Sequence, residues 1–265
     1  MKLAWMTDIH LNHLMPYARG AFLASLADAN ADALVITGDI GEAPSVGDYL
    51  RQIASAAARP VYFVLGNHDF YRGSIVSTRE HVTALSEDNR HLHYLTVSAG
   101  ICLSESAAII GHDCWSDGGY GNWQQSDVTL MDYRLIREFK SLDKHDRLDL
   151  MRRLAGDAVA HLRNQLAELP GSVTGVVVLS HPPPFREVCL YDNQIGDDDH
   201  LPHFSCQALG DWLIAEAEQN PHRRFTVLCG HTHHLADLNT TPNLRVQVGH
   251  AEYGLPAVQQ IIELT

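Results

Sequence analysis

Five apolar runs in this sequence are each followed at once by side chains that bind metal ions. LAWM (3 to 6) leads into TDIH, which supplies Asp8 and His10. ALVIT (33 to 37) leads into GDI and Asp39, and VYFVL (61 to 65) into GNHD, with Asn67, His68 and Asp69. VVVL (176 to 179) precedes SHPPP and His181, and FTVL (225 to 228) precedes CGHTHH with His231, His233 and His234. Imidazole nitrogens, carboxylate oxygens and one amide oxygen form a borderline-hard donor set without thiolate. Such a set suits Mn, Fe, Zn, Co or Ni and argues against Cu(I) or an iron–sulfur cluster. Residues two apart in an extended segment point the same way, so Asp8 with His10 and His231 with His233 can converge. The candidates outnumber the four ligands of a tetrahedral zinc. Two ions sharing a bridging carboxylate accommodate them, with Asp39 as the natural bridge.

Singly, each piece has a plainer reading. A DxH is commonly a strand-end cap, GD occurs in many turns, His181 before three prolines reads as a loop histidine, and GHTHH as an incidental tract. Their order, each behind its own strand, sets them apart from such accidents. In open α/β sheets ligands bind just beyond the carboxyl ends of the strands.

The elements that must position these residues follow from the hydrophobic pattern. Further strand-like runs occur at AAII (107 to 110), LRVQV (244 to 248) and the final AVQQIIEL. Helix-like stretches lie at roughly 17 to 29, 46 to 58, 75 to 88, 147 to 168 and 206 to 219. Strands alternating with helices predict βαβ units and a mainly parallel sheet. The later strands have less helix between them, which predicts a second sheet or an antiparallel edge. Two long irregular stretches, 112 to 126 and 181 to 205, are read as functional loops at the mouth of the sheet. The first carries Trp115, Tyr120, Asn122 and Trp123, which either stack on a planar leaving group or simply pack the loop.

With 265 residues, 45% of them hydrophobic, the chain has material for a substantial core, and one domain over 1–265 is expected. The formal net charge of -13 offers no basic stripe for a phosphate backbone and disfavours nucleic acid as a partner. The five cysteines are scattered, without CxxC spacing, and read as reduced, mostly buried thiols. The N-terminal MKLAWMTD is too short an apolar run for a signal peptide, and no run approaches a membrane span. A cytoplasmic protein is the expectation, with its oligomeric state left open.

Taken together, Asp8-Ile9-His10, Gly38-Asp39-Ile40, Gly66-Asn67-His68-Asp69, His181 and Gly230-His231-Thr232-His233 resemble the motif series of the calcineurin-like metallophosphoesterases. The resemblance implies a four-layer α/β/β/α sandwich around a dinuclear centre of two divalent ions, with Mn or Fe favoured. It implies that Asp8, His10, Asp39 and His233 hold one ion, and Asp39, Asn67, His181 and His231 the other. His68 would be catalytic, donating to the leaving group, with Asp69 behind it fixing its tautomer. The implied reaction is hydrolysis of a small-molecule phosphodiester or phosphomonoester by in-line attack of a metal-activated hydroxide. After Asp39 comes Gly-Glu-Ala-Pro beyond Ile40, without the Arg that protein phosphatases of this superfamily carry there. A phosphoprotein substrate is therefore the weaker alternative, as is a metal-free scaffold, since the motif set is complete.

Overall fold

The computed structural model describes residues 1–264. The first half of the chain alternates strand and helix: β1 (Lys2–Met6), α1 (Pro16–Ala27), β2 (Ala33–Thr37), α2 (Val46–Ala57), β3 (Val61–Val64), α3 (Ile75–Asp88) and β4 (Leu92–Tyr94). These four strands run parallel. The second half contributes β5 (Ile101–Cys102), β6 (Ala107–Gly111), the short α4 (Asp132–Leu135), the long α5 (Lys144–Ala167) and β7 (Gly175–Leu179). After the small β8 (Leu190–Tyr191) and β9 (Gln194–Ile195) hairpin come α6 (Leu201–Phe204) and α7 (Gln207–Gln219). The chain closes with β10 (Arg224–Cys229), β11 (Ala236–Thr241), β12 (Leu244–Val248) and β13 (Gln260–Glu263).

Two sheets result. One has the order β13-β1-β2-β3-β4, with β13 returning antiparallel to β1; the other has the order β11-β12-β10-β7-β6-β5, with β12, β10, β7 and β6 parallel and antiparallel strands at both edges. The expectation of a second sheet or an antiparallel edge is met on both counts.

The pleat explains how such apolar strands stack. Leu3, Trp5, Ala33, Val35, Tyr62 and Val64 meet Ile109, Val177, Leu179 and Leu228 in a core between the sheets. Their neighbours Ala4, Met6, Leu34, Ile36, Val61 and Phe63 turn outward into a core that also takes in Leu23, Leu26, Leu50, Ile53, Val82 and Leu85 of α1, α2 and α3. On the far side, Val176, Val178, Phe225 and Val227 pack with Ala155, Leu162, Leu209 and Leu213 of α5 and α7. Strands buried on both faces read as continuous apolar runs. This is the α/β/β/α layering. Helix α5 begins ahead of the stretch that the apolar periodicity suggests, because Asp143 caps it, its side chain accepting the Asp146 N–H at 2.9 Å. Among the described residues no helix is long and apolar enough to cross a membrane.

Candidate metal centre

The carboxyl ends of β1, β2 and β3 in one sheet and of β7 and β10 in the other meet across the sandwich. Backbone bonds lock their exit loops together: Asp8 N–H donates to Gly38 O at 3.0 Å, His10 N–H to Asp39 O at 2.9 Å, and Gly230 N–H to His181 O at 3.0 Å. Two motif glycines are needed for this closeness. A Cβ on Gly66 would run into Asp39 Oδ1 and the His181 ring, and one on Gly230 into Thr7 Oγ1 and Asp8 Oδ2.

The turns themselves are strained. Asp8, His10, Asp39, His231 and His233 have φ of 49°, 41°, 54°, 73° and 59°, five of eleven non-glycine residues with positive φ among those described. A left-handed residue other than glycine costs about 1–2 kcal/mol. That cost concentrates on the motif residues themselves, as backbone strain does at functional sites.

Asp8, His10, Asp39 and His233 bring one ligand atom each to within 4.8 Å of one another. His10 Nε2 lies 3.3 Å from His233 Nε2 and 3.7 Å from Asp39 Oδ2, and His233 Nε2 lies 3.3 Å from Asp8 Oδ1. The other Asp39 oxygen, Oδ1, lies 3.4 Å from His181 Nε2, which is 3.0 Å from Asn67 Oδ1. His231 stands beside this second group, its ring centroid 4.9 Å from that of His181. All seven sequence-predicted ligands therefore meet, and Asp39 faces both groups.

Hydrogen bonds behind these residues orient the atoms that face inward. His181 Nδ1 donates to Thr37 O at 2.8 Å, leaving the Nε2 lone pair toward Asp39 and Asn67. Asn67 Nδ2 donates to Asp132 Oδ1 at 2.9 Å, which turns Oδ1 toward His181. His231 Nε2 donates to His203 O at 3.4 Å, leaving Nδ1 with its lone pair. Such partners orient ligands in metal sites. The chemistry of this donor set fits divalent cations, because lone pairs and carboxylates converge with no Lys or Arg among them.

The charges respond accordingly. Burial works against a charged His181, yet Asp39 outweighs it and raises the imidazole to about 10, so a proton occupies the Nε2 position until a cation displaces it. Burial lowers His10 to about 4 and His231 to about 3. The Asp39 carboxyl falls well below the usual range despite its burial, because His181 and His68 lie beside it. The pocket thus draws positive charge to the gap between Asp39 and Asn67.

His68 and Asp69 separate in role. His68 stands at the edge of the centre, its Nε2 4.0 Å from Asp39 Oδ2 and its ring stacked on Tyr71 at 4.2 Å. Asp69 does not sit behind that ring. Its Oδ1 accepts the N–H groups of Ile40 and Gly41 at 2.9 and 2.7 Å, and its Oδ2 that of Gly66 at 2.9 Å. Among the described residues no hydrogen bond joins its carboxylate to His68, so the expected tautomer-fixing contact is replaced by a clamp on the loops after β2 and β3.

A cleft of ≈ 450 Å³ opens over the centre, walled by His68, Tyr71, Phe204, His233 and Tyr253 among others. The loop aromatics take their plainer reading: Trp115 and Trp123 are buried, Trp115 stacked on Phe139 and Trp123 packed against His203. Arg72 is at the surface, paired with Glu42. Sequence reasoning missed Asp132 and Tyr253. Asp132 lies in MDYRLIREFK, far along the chain from Asn67, and no spacing rule links them. Tyr253 comes from the loop before β13 and lays its ring 4.6 Å from His10.

A model of the calcineurin-like phosphoesterase family matches residues 1–235. Among solved structures, the phosphopantetheinyl hydrolase PptH from Mycobacterium tuberculosis superposes with a TM-score of 0.72 at 15% identity, covering 96% of this chain and 90% of that one. A dimetal phosphatase from Danio rerio gives 0.60 at 12% identity, over 94% and 87% of the two chains. TT1561 of Thermus thermophilus gives 0.55 at 12% identity, over 94% and 88%. At these identities the likeness is one of fold. Comparison with curated proteins gives no significant match.

Proposed function

Since the chain belongs to the calcineurin-like phosphoesterase family, whose members are metal-dependent phosphoric ester hydrolases, we propose that it uses two divalent ions to hydrolyse a small-molecule phosphodiester or phosphomonoester. The observation that carries this reading is the division of the Asp39 carboxylate, with Oδ2 toward His10 and Oδ1 toward His181. Asp8, His10, Asp39 and His233 would hold one ion; Asp39, Asn67, His181 and His231 the other. When bound, such a pair supplies positive charge for the phosphoryl oxygens and lowers the pKa of water.

The remaining work falls to the chain. Asp39 holds the two halves of the centre in one register, because each of its oxygens faces a different sheet's histidine. Thr37 O and Asp132 keep the His181 and Asn67 lone pairs inward, so binding requires no reorientation. His68, at the cleft edge, donates a proton from Nε2 to the departing alkoxide or phenoxide oxygen. Tyr71, hydrogen-bonded to Asp132 at 2.6 Å, supports the His68 ring from behind by stacking. Both sheets contribute to this one site, which supports reading 1–265 as a single catalytic domain.

The test is hydrolysis of bis(p-nitrophenyl) phosphate and p-nitrophenyl phosphate by chelator-stripped protein, with and without Mn²⁺. Turnover restored by the metal on either ester supports the reading, and the preferred ester decides between phosphodiesterase and phosphatase. Silence on both with two equivalents of metal bound would overturn it in favour of a scaffold.

A further inference from the structure

Beside the catalytic cleft lies a second space of ≈ 680 Å³, between the β8–β9 hairpin on one side and residues 128–130 on the other. The two adjoin, sharing Leu130, Tyr191, Phe204 and Thr232 as walls. Phe204 marks the junction, its ring 5.0 Å from that of His231. The hairpin wall is held in place: Asp192 N–H donates to His234 Nε2 at 3.1 Å, and Gly196 N–H to Cys189 O at 2.9 Å.

The lining of this trough is largely apolar, with Val128, Leu190 and Ile195 along it. Tyr191 and Ile195 keep 75% and 48% of their surface exposed, an apolar rim beside a polar centre. Exposed apolar surface gathered at a cleft marks a binding site more often than scattered residues do. The charge pattern is equally selective. Asp197 and His200 are the only ionisable side chains with acidic or imidazole groups in the trough, and they are bonded to each other at 2.7 Å. Neither the trough nor the catalytic cleft is lined by a Lys or Arg among the described residues. A second phosphate on the substrate would meet Asp197, with the His200 imidazole already engaged by it, and no Lys or Arg, inside a protein of net charge -13.

We propose that the trough between the β8–β9 hairpin and residues 128–130 is a specificity subsite that takes an elongated, uncharged, mainly apolar arm of the phosphoester, and that it discriminates against polyphosphorylated substrates. This rests on the phosphoesterase reading above, with the phosphoryl group at the metal centre and the arm passing Phe204. Apolar burial contributes in proportion to the arm's area, while the polar centre fixes its end.

The test uses Mn²⁺-loaded protein and three non-hydrolysable probes: methylphosphonate, n-octylphosphonate below its micelle threshold, and octane-1,8-diphosphonate. Calorimetry is expected to give n-octylphosphonate at least ~10-fold tighter than methylphosphonate, and the diphosphonate close to methylphosphonate despite its length. Ile195→Asp and Val128→Asp, each away from the metal centre, are expected to erase the octyl gain while leaving methylphosphonate affinity and p-nitrophenyl phosphate turnover unchanged. Equal affinity for methyl and octyl probes, no measurable octyl binding, or tightest binding of the diphosphonate would overturn the subsite. An octyl gain lost in both variants, in a protein that hydrolyses no phosphoester, would keep the subsite and remove the catalytic reading instead. Turnover without any dependence on arm length would do the reverse.

Discussion

Asp132 accepts hydrogen bonds from Asn67 Nδ2 at 2.9 Å and from the Tyr71 hydroxyl at 2.6 Å on the same carboxylate oxygen, Oδ1. The contact joins the loop after β3 to a short helix 65 residues further along the chain. It decides which face of the Asn67 amide looks into the centre.

Asp132→Ala is therefore expected to weaken the ion held through Asn67 and His181 by about 10–100-fold, the usual cost of losing a ligand's supporting partner. Metal affinity measured by competition with a chromophoric chelator checks this. Two unchanged dissociation constants would sink the orienting role.

Asp39→Ala should lose both ions, because it removes the one side chain that faces both groups. His233→Ala should lose one. Metal content after gel filtration, counted by mass spectrometry, separates the cases, and two equivalents retained by Asp39→Ala would contradict the shared-ligand assignment.

For His68→Ala the expected result is turnover lowered by about 10²–10⁴-fold with two equivalents of metal still bound. A leaving group that needs no proton, such as p-nitrophenolate, should show a smaller loss than an alkoxide. Equal losses on both would mean that His68 acts by some route other than proton donation.

Asp69→Ala strands three buried amides at once, those of Ile40, Gly41 and Gly66. Each unsatisfied buried group costs about 1–3 kcal/mol, so a loss of at least ~3 kcal/mol in urea unfolding is expected. A variant as stable as the parent, with only turnover reduced, would restore the catalytic role that the sequence suggested.

Acid should destabilise the fold through His112, whose Nδ1 accepts the Cys114 N–H at 2.9 Å and whose burial pushes it down to about 3. Its folded-state value lies below that of the unfolded chain, near 6.5. Its stabilising contribution is thus complete above about pH 6.5 and declines as pH falls toward 3. By pH 5 the loss is about 2 kcal/mol. Unfolding of the parent and of His112→Asn between pH 7.5 and 5 checks this, and parallel profiles would rule His112 out as the titrating group.

Much of this centre was legible in the order of residues. Runs such as VYFV are apolar at every position because both faces of the strand are covered, and that uniformity announced a strand buried between layers. The motif residues were legible because a strand's end leaves its next few residues at the sheet edge, and because Asp, His and Asn have few other reasons to recur there. The aromatics at 115 and 123 were ambiguous for the opposite reason: a tryptophan in a loop has the same identity whether it faces a ligand or packs on Phe139.

What the sequence determined by itself was therefore the alternation of strands and helices, the motif set and a donor chemistry suited to divalent ions, since these depend on local periodicity and residue type; the four-layer class entered through the family resemblance that the motifs carry. What only the tertiary structure decided depended on groups far apart in the chain. It assigned Asp69 to the backbone amides of two loops rather than to its neighbour His68, and it brought Asp132 onto Asn67 and Tyr253 over His10. Hydrogen bonds form between atoms that meet in space, and in a fold of parallel strands joined by long crossovers, sequence spacing does not say which atoms those are.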